Sequence, residues 1–185
     1  YILLAPENTL ALRAAPLKFR LKRLNGKTIF REIRLTPTDR FLYPLGSTIS
    51  FMDTGNSHKY RTFGWSRTEF WGTSSIGHES GVFLKLGETI AENLVLEFTA
   101  SGYVFDNWPQ QQLEIIVNGV KVKTLTINDN KKNPYRVTLP QQSTGMLDIT
   151  FRYPDAVKQS QIGVSVDTRL QAIAMIKLKV SADSQ

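Results

Sequence analysis

Between Phe63 and Ser75 the chain reads Phe-Gly-Trp-Ser-Arg-Thr-Glu-Phe-Trp-Gly-Thr-Ser-Ser, and Ser165-Val-Asp-Thr-Arg169 follows much later, just before the last strand-like run. Hydrophobic periodicity does not account for two tryptophans and a glutamate in a polar, glycine-flanked stretch. Trp65 and Trp71, with Phe70 beside them, could offer flat faces on which the C–H-rich side of a pyranose ring stacks, while Glu69 accepts hydrogen bonds from hydroxyls. Asp167 and Arg169 are two apart, so on an extended backbone they share a face and could fork around a ligand. Glu69 with Arg169 is a plausible buried ion pair. Trp108, followed by Pro109 and preceded by Tyr103 and Phe105, is the aromatic expected to be most exposed. The same residues admit a structural reading, in which both indoles plug the end of a β domain with their N–H groups satisfied locally.

No recognised catalytic motif stands out in the sequence, although any two of its sixteen acids could face each other as the carboxylate pair of a glycoside hydrolase. The two histidines, His58 and His78, stand twenty residues apart in loops rich in glycine and serine, and no His-Glu-x-x-His, nucleophile elbow or phosphate loop occurs. Gly64-Trp-Ser-Arg-Thr68 lacks the second glycine of a serine elbow. With no cysteine there is no disulfide, thiolate nucleophile or Cys-based zinc site. No cofactor is expected. Calcium could be held by Asp53 with Asn56, or by Asp129 with its neighbouring asparagines, although these are ordinary turn residues too.

Charge is concentrated at one end. From Arg13 to Arg34 eight basic residues face one acid, Glu32, so this stretch alone carries the chain's net +7. Within it Leu17, Phe19 and Leu21 alternate with Lys18, Arg20 and Lys22, and Asn25-Gly26 supplies a two-residue turn before Ile29, Ile33 and Leu35. The pattern predicts a β-hairpin with a basic face. Lys18, Arg20, Lys22 and Arg23 are the candidates to contact an anionic surface, such as lipid head groups; lysines and arginines blunting an edge strand are the plain alternative. Nucleic acid is a weak partner for this pattern, because only Phe19 and Phe30 are interleaved with the basic residues.

The elements that must position these groups are strands. Period-two alternation recurs at Val82–Leu86, Leu94–Phe98, Leu113–Val117, Val120–Ile127, Tyr135–Leu139, Leu147–Tyr153 and Ile176–Val180, divided by Pro, Gly, Asn and Asp clusters, with a second hairpin signal at Asn118-Gly119. Only Thr89 to Asn93 suggests a short helical turn. Many short strands with polar turns predict an all-β fold, an antiparallel β-sandwich of jelly-roll type. The expected division is an N-terminal hairpin segment, 1–48, packed on a sandwich, 49–185. Apolar runs are far shorter than the roughly twenty residues of a membrane helix. A chain opening on Tyr1 rather than methionine is expected to be a piece of a longer one.

Taken in order, Gly64-Trp-Ser-Arg-Thr-Glu-Phe-Trp-Gly-Thr73, Val117-Asn-Gly119, Arg152-Tyr-Pro-Asp-Ala156 and Ser165-Val-Asp-Thr-Arg169 resemble the C-terminal β-sandwich accessory domain of bacterial membrane-bound envelope-glycan transferases. These are the phosphoglycerol transferase I type and some multi-spanning glycosyltransferases. The resemblance covers about Ile49 to Val180 and departs at Ser74, where the family has a third aromatic, and at Gln171-Ala172. It implies a noncatalytic module, periplasmic or otherwise extracytoplasmic, attached to an inner-membrane protein. Its implied partners are an oligosaccharide or envelope glycan and the catalytic domain of the parent chain. A docking role without glycan binding, through the basic hairpin, is the alternative.

Overall fold

The computed structural model describes residues 42–86, 93–141 and 145–183, and the backbone pairing of two strands before them. Those two, β1 (Leu17–Leu24) and β2 (Lys27–Leu35), form an antiparallel hairpin running from Leu17↔Leu35 to Leu24↔Lys27, with an irregularity in register between Arg20 and Leu21. The expected hairpin is therefore present; the side chains of Lys18, Arg20, Lys22 and Arg23 and the Asn25-Gly26 turn lie outside the described residues. So do residues 89–92 of the expected helical turn.

Two sheets of strands make up the sandwich. One orders β5 (Glu79–Lys85), β10 (Met146–Arg152), β7 (Gln111–Val117) and β8 (Val120–Ile127); the other orders β3 (Thr48–Ser50), β13 (Ile173–Ala182), β6 (Leu94–Gly102) and β9 (Asn133–Thr138), with β4 (Thr73–Ser74) also on β13. A short pair, β11 (Val157–Lys158) with β12 (Leu170–Gln171), closes a long loop. All these pairings are antiparallel, and the fold is the all-β antiparallel sandwich the alternation predicts.

Local chemistry explains the strands. β7 buries every second residue, Gln111, Leu113, Ile115 and Val117, because a pleated strand sends alternate side chains to the core. It returns into β8 through Asn118 and Gly119, with φ of 50° and 85°, the left-handed pair a tight hairpin turn needs. Each fully buried residue of the type of Leu113, Ile149 or Phe151 contributes about 1.5–3 kcal/mol by leaving water. One ring pair bridges the two sheets, Phe98 lying 5.7 Å from Phe151, while within the second sheet Phe98 stacks at 5.1 Å on its cross-strand partner Tyr135.

Tyr43 corrects the expected boundary. It is buried, its backbone N–H donates to Lys85 O at 2.7 Å, and its hydroxyl accepts from Val180 N at 2.9 Å while donating to Ser47 O. Burial pushes the Tyr43 hydroxyl up to about 12. The chain accordingly divides at Phe41/Leu42 rather than after residue 48. A tyrosine flanked by Leu42 and Pro44 carries no alternation, so the sequence pattern did not reveal its place in the core.

Candidate functional site

The tryptophan segment folds back on itself. Trp65 bridges Ser75, Ser66 N donates to Ser74 O at 2.9 Å, and Glu69 and Gly72 exchange N–H···O bonds of 2.8 and 3.1 Å. Phe70 and Trp71 are thus the two central residues of a tight turn, and Phe70 is left 73% exposed. The returning arm is β4, with Thr73 opposite Met175 and Ser74 opposite Ala174, which fixes the turn to the edge of the second sheet. Glycine is required at both ends of the excursion. A Cβ on Gly72, whose φ is 142°, would sit 2.6 Å from Met175 O, and one on Gly64, φ 70°, would sit 1.9 Å from Glu79 O.

The three tryptophans have different fates. Trp65 packs 5.1 Å from Phe51 and 6.2 Å from Phe151, and its Nε1–H donates to Gly81 O at 2.8 Å, which makes it a plug of the sandwich. Trp108 closes a tight turn with Phe105 and donates its Nε1–H to Asp155 O at 3.1 Å. It is only partly exposed, so the expectation that it is the most exposed aromatic is corrected; among the described residues Phe70 holds that place. Trp71 alone makes no indole hydrogen bond to the described residues.

Trp71 lines a cleft of about 320 Å³ with Tyr103, Phe105, Asn130, Gln159 and Ala174. Its walls are built by hydrogen bonds that leave other groups free. The Tyr103 hydroxyl bonds Ser74 Oγ at 2.7 Å, and Gln171 Nε2 reaches it at 3.5 Å. Gln171 Oε1 in turn accepts from Gln159 Nε2 at 3.0 Å, orienting Gln159 with its own Oε1 unengaged by the described residues. Burial pushes the Tyr103 hydroxyl up, so it remains a neutral donor and acceptor. Asn130 is exposed on the turn that follows Asp129, and its amide bonds none of the described residues. Ser74 is 3% exposed, so a third aromatic at that position would have to displace the Tyr103 hydroxyl.

The late pair meets this region. Arg169 Nε and Nη2 hold Asp167 in a two-pronged contact of 2.6–3.1 Å, and Asp167 Oδ1 also accepts from Arg169 N at 2.9 Å. The Arg169 hydrogen bonds hold the Asp167 carboxyl below its ordinary range, and the Asp167 carboxylate raises Arg169 in return. Tyr103 and Glu69 are both near enough to act on the Arg169 charge, so the hairpin turn and the late loop converge. The expected buried Glu69–Arg169 ion pair is nevertheless not formed. Arg169 is taken by Asp167, two residues away on the same loop, while Glu69 faces the exposed Arg67 at 3.5 Å. Gln159 and Asn130 were not singled out from sequence, and no local pattern distinguishes them from other polar loop residues.

The remaining candidates have ordinary roles. Asp53 Oδ1 accepts from Thr54 N at 2.8 Å, and Asp129 Oδ1 accepts from Lys131 N at 3.0 Å and Asn133 Nδ2 at 2.7 Å, so both carboxylates serve their own turns. Among the described residues no three acids or histidines group as metal ligands. A larger cleft, about 370 Å³, lies on the second sheet around Thr48, Glu97, Arg136 and Lys179. Glu97 pairs with Lys179 at 2.7 Å, Arg136 reaches out of the cleft to Asp183 at 2.7 Å, Lys177 also lines it, and its aromatics Phe98 and Tyr135 stack together.

No family model matches this chain, and no curated protein matches it. Among solved structures it is similar to the CBM36-1 domain of a multidomain xylanase from the hindgut metagenome of Trinervitermes trinervoides, at 12% identity over 75% of this chain and 98% of that one, with a TM-score of 0.45. It is also similar to the CBM22-1 xylan-binding domain of Paenibacillus barcinonensis Xyn10C (10% identity, 76% and 97% covered, TM-score 0.48). Dimeric latent PorU from Porphyromonas gingivalis is a third (13% identity, 79% and 14% covered, TM-score 0.47). At such identities no ligand and no residue role carries over from them.

Proposed function

We propose that this domain is a noncatalytic carbohydrate-binding module whose ligand seats in the cleft at the tryptophan turn, with one sugar face on Trp71. The observation that carries this reading is the contrast among the indoles: two are satisfied internally, and the third lines a cleft with its N–H unengaged by the described residues. Sugars need this combination of an apolar face and convergent hydrogen-bonding groups, here the Gln159 carbonyl, the Asn130 amide and the Trp71 N–H. At about 320 Å³ the cleft lies at the lower end of the roughly 300–1,000 Å³ typical of ligand sites, which suits a short stretch of glycan. Asp167, held ionised by Arg169, is poorly suited to donate a proton, which favours binding over hydrolysis.

We further propose that the parent protein is a membrane-bound transferase acting on envelope glycans outside the cytoplasm, and that this domain presents its substrate. Support for this comes from the colinear motifs at Gly64–Thr73, Val117–Gly119, Arg152–Ala156 and Ser165–Arg169. Calorimetric titration with a panel of soluble envelope oligosaccharides tests the binding reading. Saturable binding that persists at high salt is expected, since stacking and neutral hydrogen bonds carry it, and a panel with no binder overturns the proposal.

A further inference from the structure

Gln171 is 1% exposed, an amide buried at a place where an apolar side chain would carry no desolvation cost. Its partners account for it. Gln171 Nε2 reaches the Tyr103 hydroxyl at 3.5 Å, and Gln171 Oε1 accepts from Gln159 Nε2 at 3.0 Å. The Tyr103 hydroxyl is itself tied to Ser74 Oγ at 2.7 Å, and Ser74 is buried in β4 opposite Ala174, so the far end of this relay is anchored in the second sheet. Backbone bonds fix the near end. Gln171 lies in β12 opposite Val157 of β11, Gln159 directly follows that strand, and the Gln159 backbone carbonyl accepts from Val164 N at 3.0 Å.

A glutamine amide has a donor end and an acceptor end of nearly equal shape, so its own packing does not choose which of them faces a ligand. Here the choice is made from behind. With Nε2 turned to Gln171, the Oε1 of Gln159 is the end left unengaged by the described residues at the cleft that Gln159 and Trp71 line. We propose that Gln171 is a positioning residue that makes this cleft selective for a sugar hydroxyl donating to Gln159 Oε1, so that a glycan whose hydroxyl at that point is substituted is disfavoured. The proposal deepens the reading of the Trp71 cleft as a glycan site and rests on it. Gln171 itself touches no ligand; it holds the Gln159 amide in one of its two orientations. A fixed acceptor is left unpaired by a ligand that lacks the donor, and that loss discriminates more sharply than a missing apolar contact. An amide able to turn would offer Nε2 instead and tolerate both ligands.

The test is calorimetric titration with trisaccharides of glucose, mannose, galactose and N-acetylglucosamine, followed by the singly deoxyfluorinated derivatives of the best binder, because fluorine replaces a hydroxyl at similar size and cannot donate. At one ring position the fluorinated sugar is expected to bind roughly tenfold more weakly than its parent. In Gln171→Met that ratio is expected to fall to about twofold or less, since the freed amide can turn. Gln171→Glu keeps a carboxyl oxygen toward Gln159 Nε2 in either protonation state, and should restore the ratio. A role in stability alone would weaken parent and derivative equally and leave it unchanged. Where Gln171→Met does not fold, Gln159→Leu decides: it should weaken the parent roughly tenfold and remove the discrimination with it. NMR of the free protein reads the relay without a ligand, and Overhauser contacts between the Gln159 side-chain amide protons and the Gln171 side chain are expected. No binder among the trisaccharides, with those contacts present, overturns the glycan reading and this inference together. Binding in which no fluorinated position costs more than about twofold, a ratio that survives in Gln171→Met or Gln159→Leu, or missing Overhauser contacts would each overturn this inference alone.

Discussion

Replacing Trp71 by alanine separates ligand binding from stability. The Trp71 indole makes no hydrogen bond to the described residues, its ring lines the cleft, and it stands at a turn whose backbone closure belongs to Glu69 and Gly72. Stacking one sugar face on it removes on the order of 60 Å² of apolar surface from water, or about 1.5 kcal/mol at ~25 cal/mol per Å². Ring-face geometry adds about 0.5–1.5 kcal/mol. Together these give about 2–3 kcal/mol, a loss of roughly 30- to 150-fold in affinity. Folding should change by less than about 1 kcal/mol, as for surface positions generally. Trp65→Ala is the contrasting control, since its ring fills space against Phe51 and Phe151 and its N–H bonds Gly81, so about 3 kcal/mol or more of stability is expected to go. Calorimetry on the best oligosaccharide, run beside urea denaturation of each variant, reads both quantities, and Trp71→Phe should recover part of the affinity. Unchanged affinity in Trp71→Ala, or a stability loss matching that of Trp65→Ala, would refute the assignment of Trp71 as the platform.

Other outcomes follow from particular contacts. Gly72→Ala forces a Cβ to within 2.6 Å of Met175 O at a φ of 142°, so a loss of about 1–3 kcal/mol in denaturant melts is expected, together with weaker glycan binding as the turn shifts. The folded-state value of Asp167 is depressed, so its stabilisation is present above the ordinary 3.8 and is lost as pH falls through the lower folded value. Acid melts of Asp167→Asn should lack that component, which is under about 1 kcal/mol because Arg169 is half exposed. Reversing the charge of Arg20, Lys22 and Arg23 is expected to abolish any salt-sensitive association with anionic vesicles while leaving glycan titrations unchanged, as read by vesicle flotation.

Where alternation is strict, the strands were legible before any coordinates. Leu113, Ile115 and Val117 face inward as their spacing requires, and Asn118-Gly119 turns the chain as its side chains permit. The short strands β3, β4, β11 and β12 were not legible, because two or three residues cannot express a period and their pairing is imposed by β13 and by one another. At the site, the sequence marked the tryptophan segment and the Asp167–Arg169 couple as out of keeping with a core, and both do reach one end of the sandwich. It could not say which indole was free. That depends on whether a carbonyl such as Gly81 O or Asp155 O, distant in the chain, lies within reach of each N–H.

By itself the sequence determined the all-β class, the concentration of charge before Arg34 and the absence of cysteine chemistry, since these follow from residue type and short-range spacing. Tertiary structure alone decided that Arg169 takes Asp167 rather than Glu69, that Phe70 is left more exposed than Trp108, and that Gln159 and Asn130 join Trp71 at one cleft. Each of those outcomes is a competition among partners far apart in the chain. Its result is fixed by distances that arise only when the two sheets close on each other.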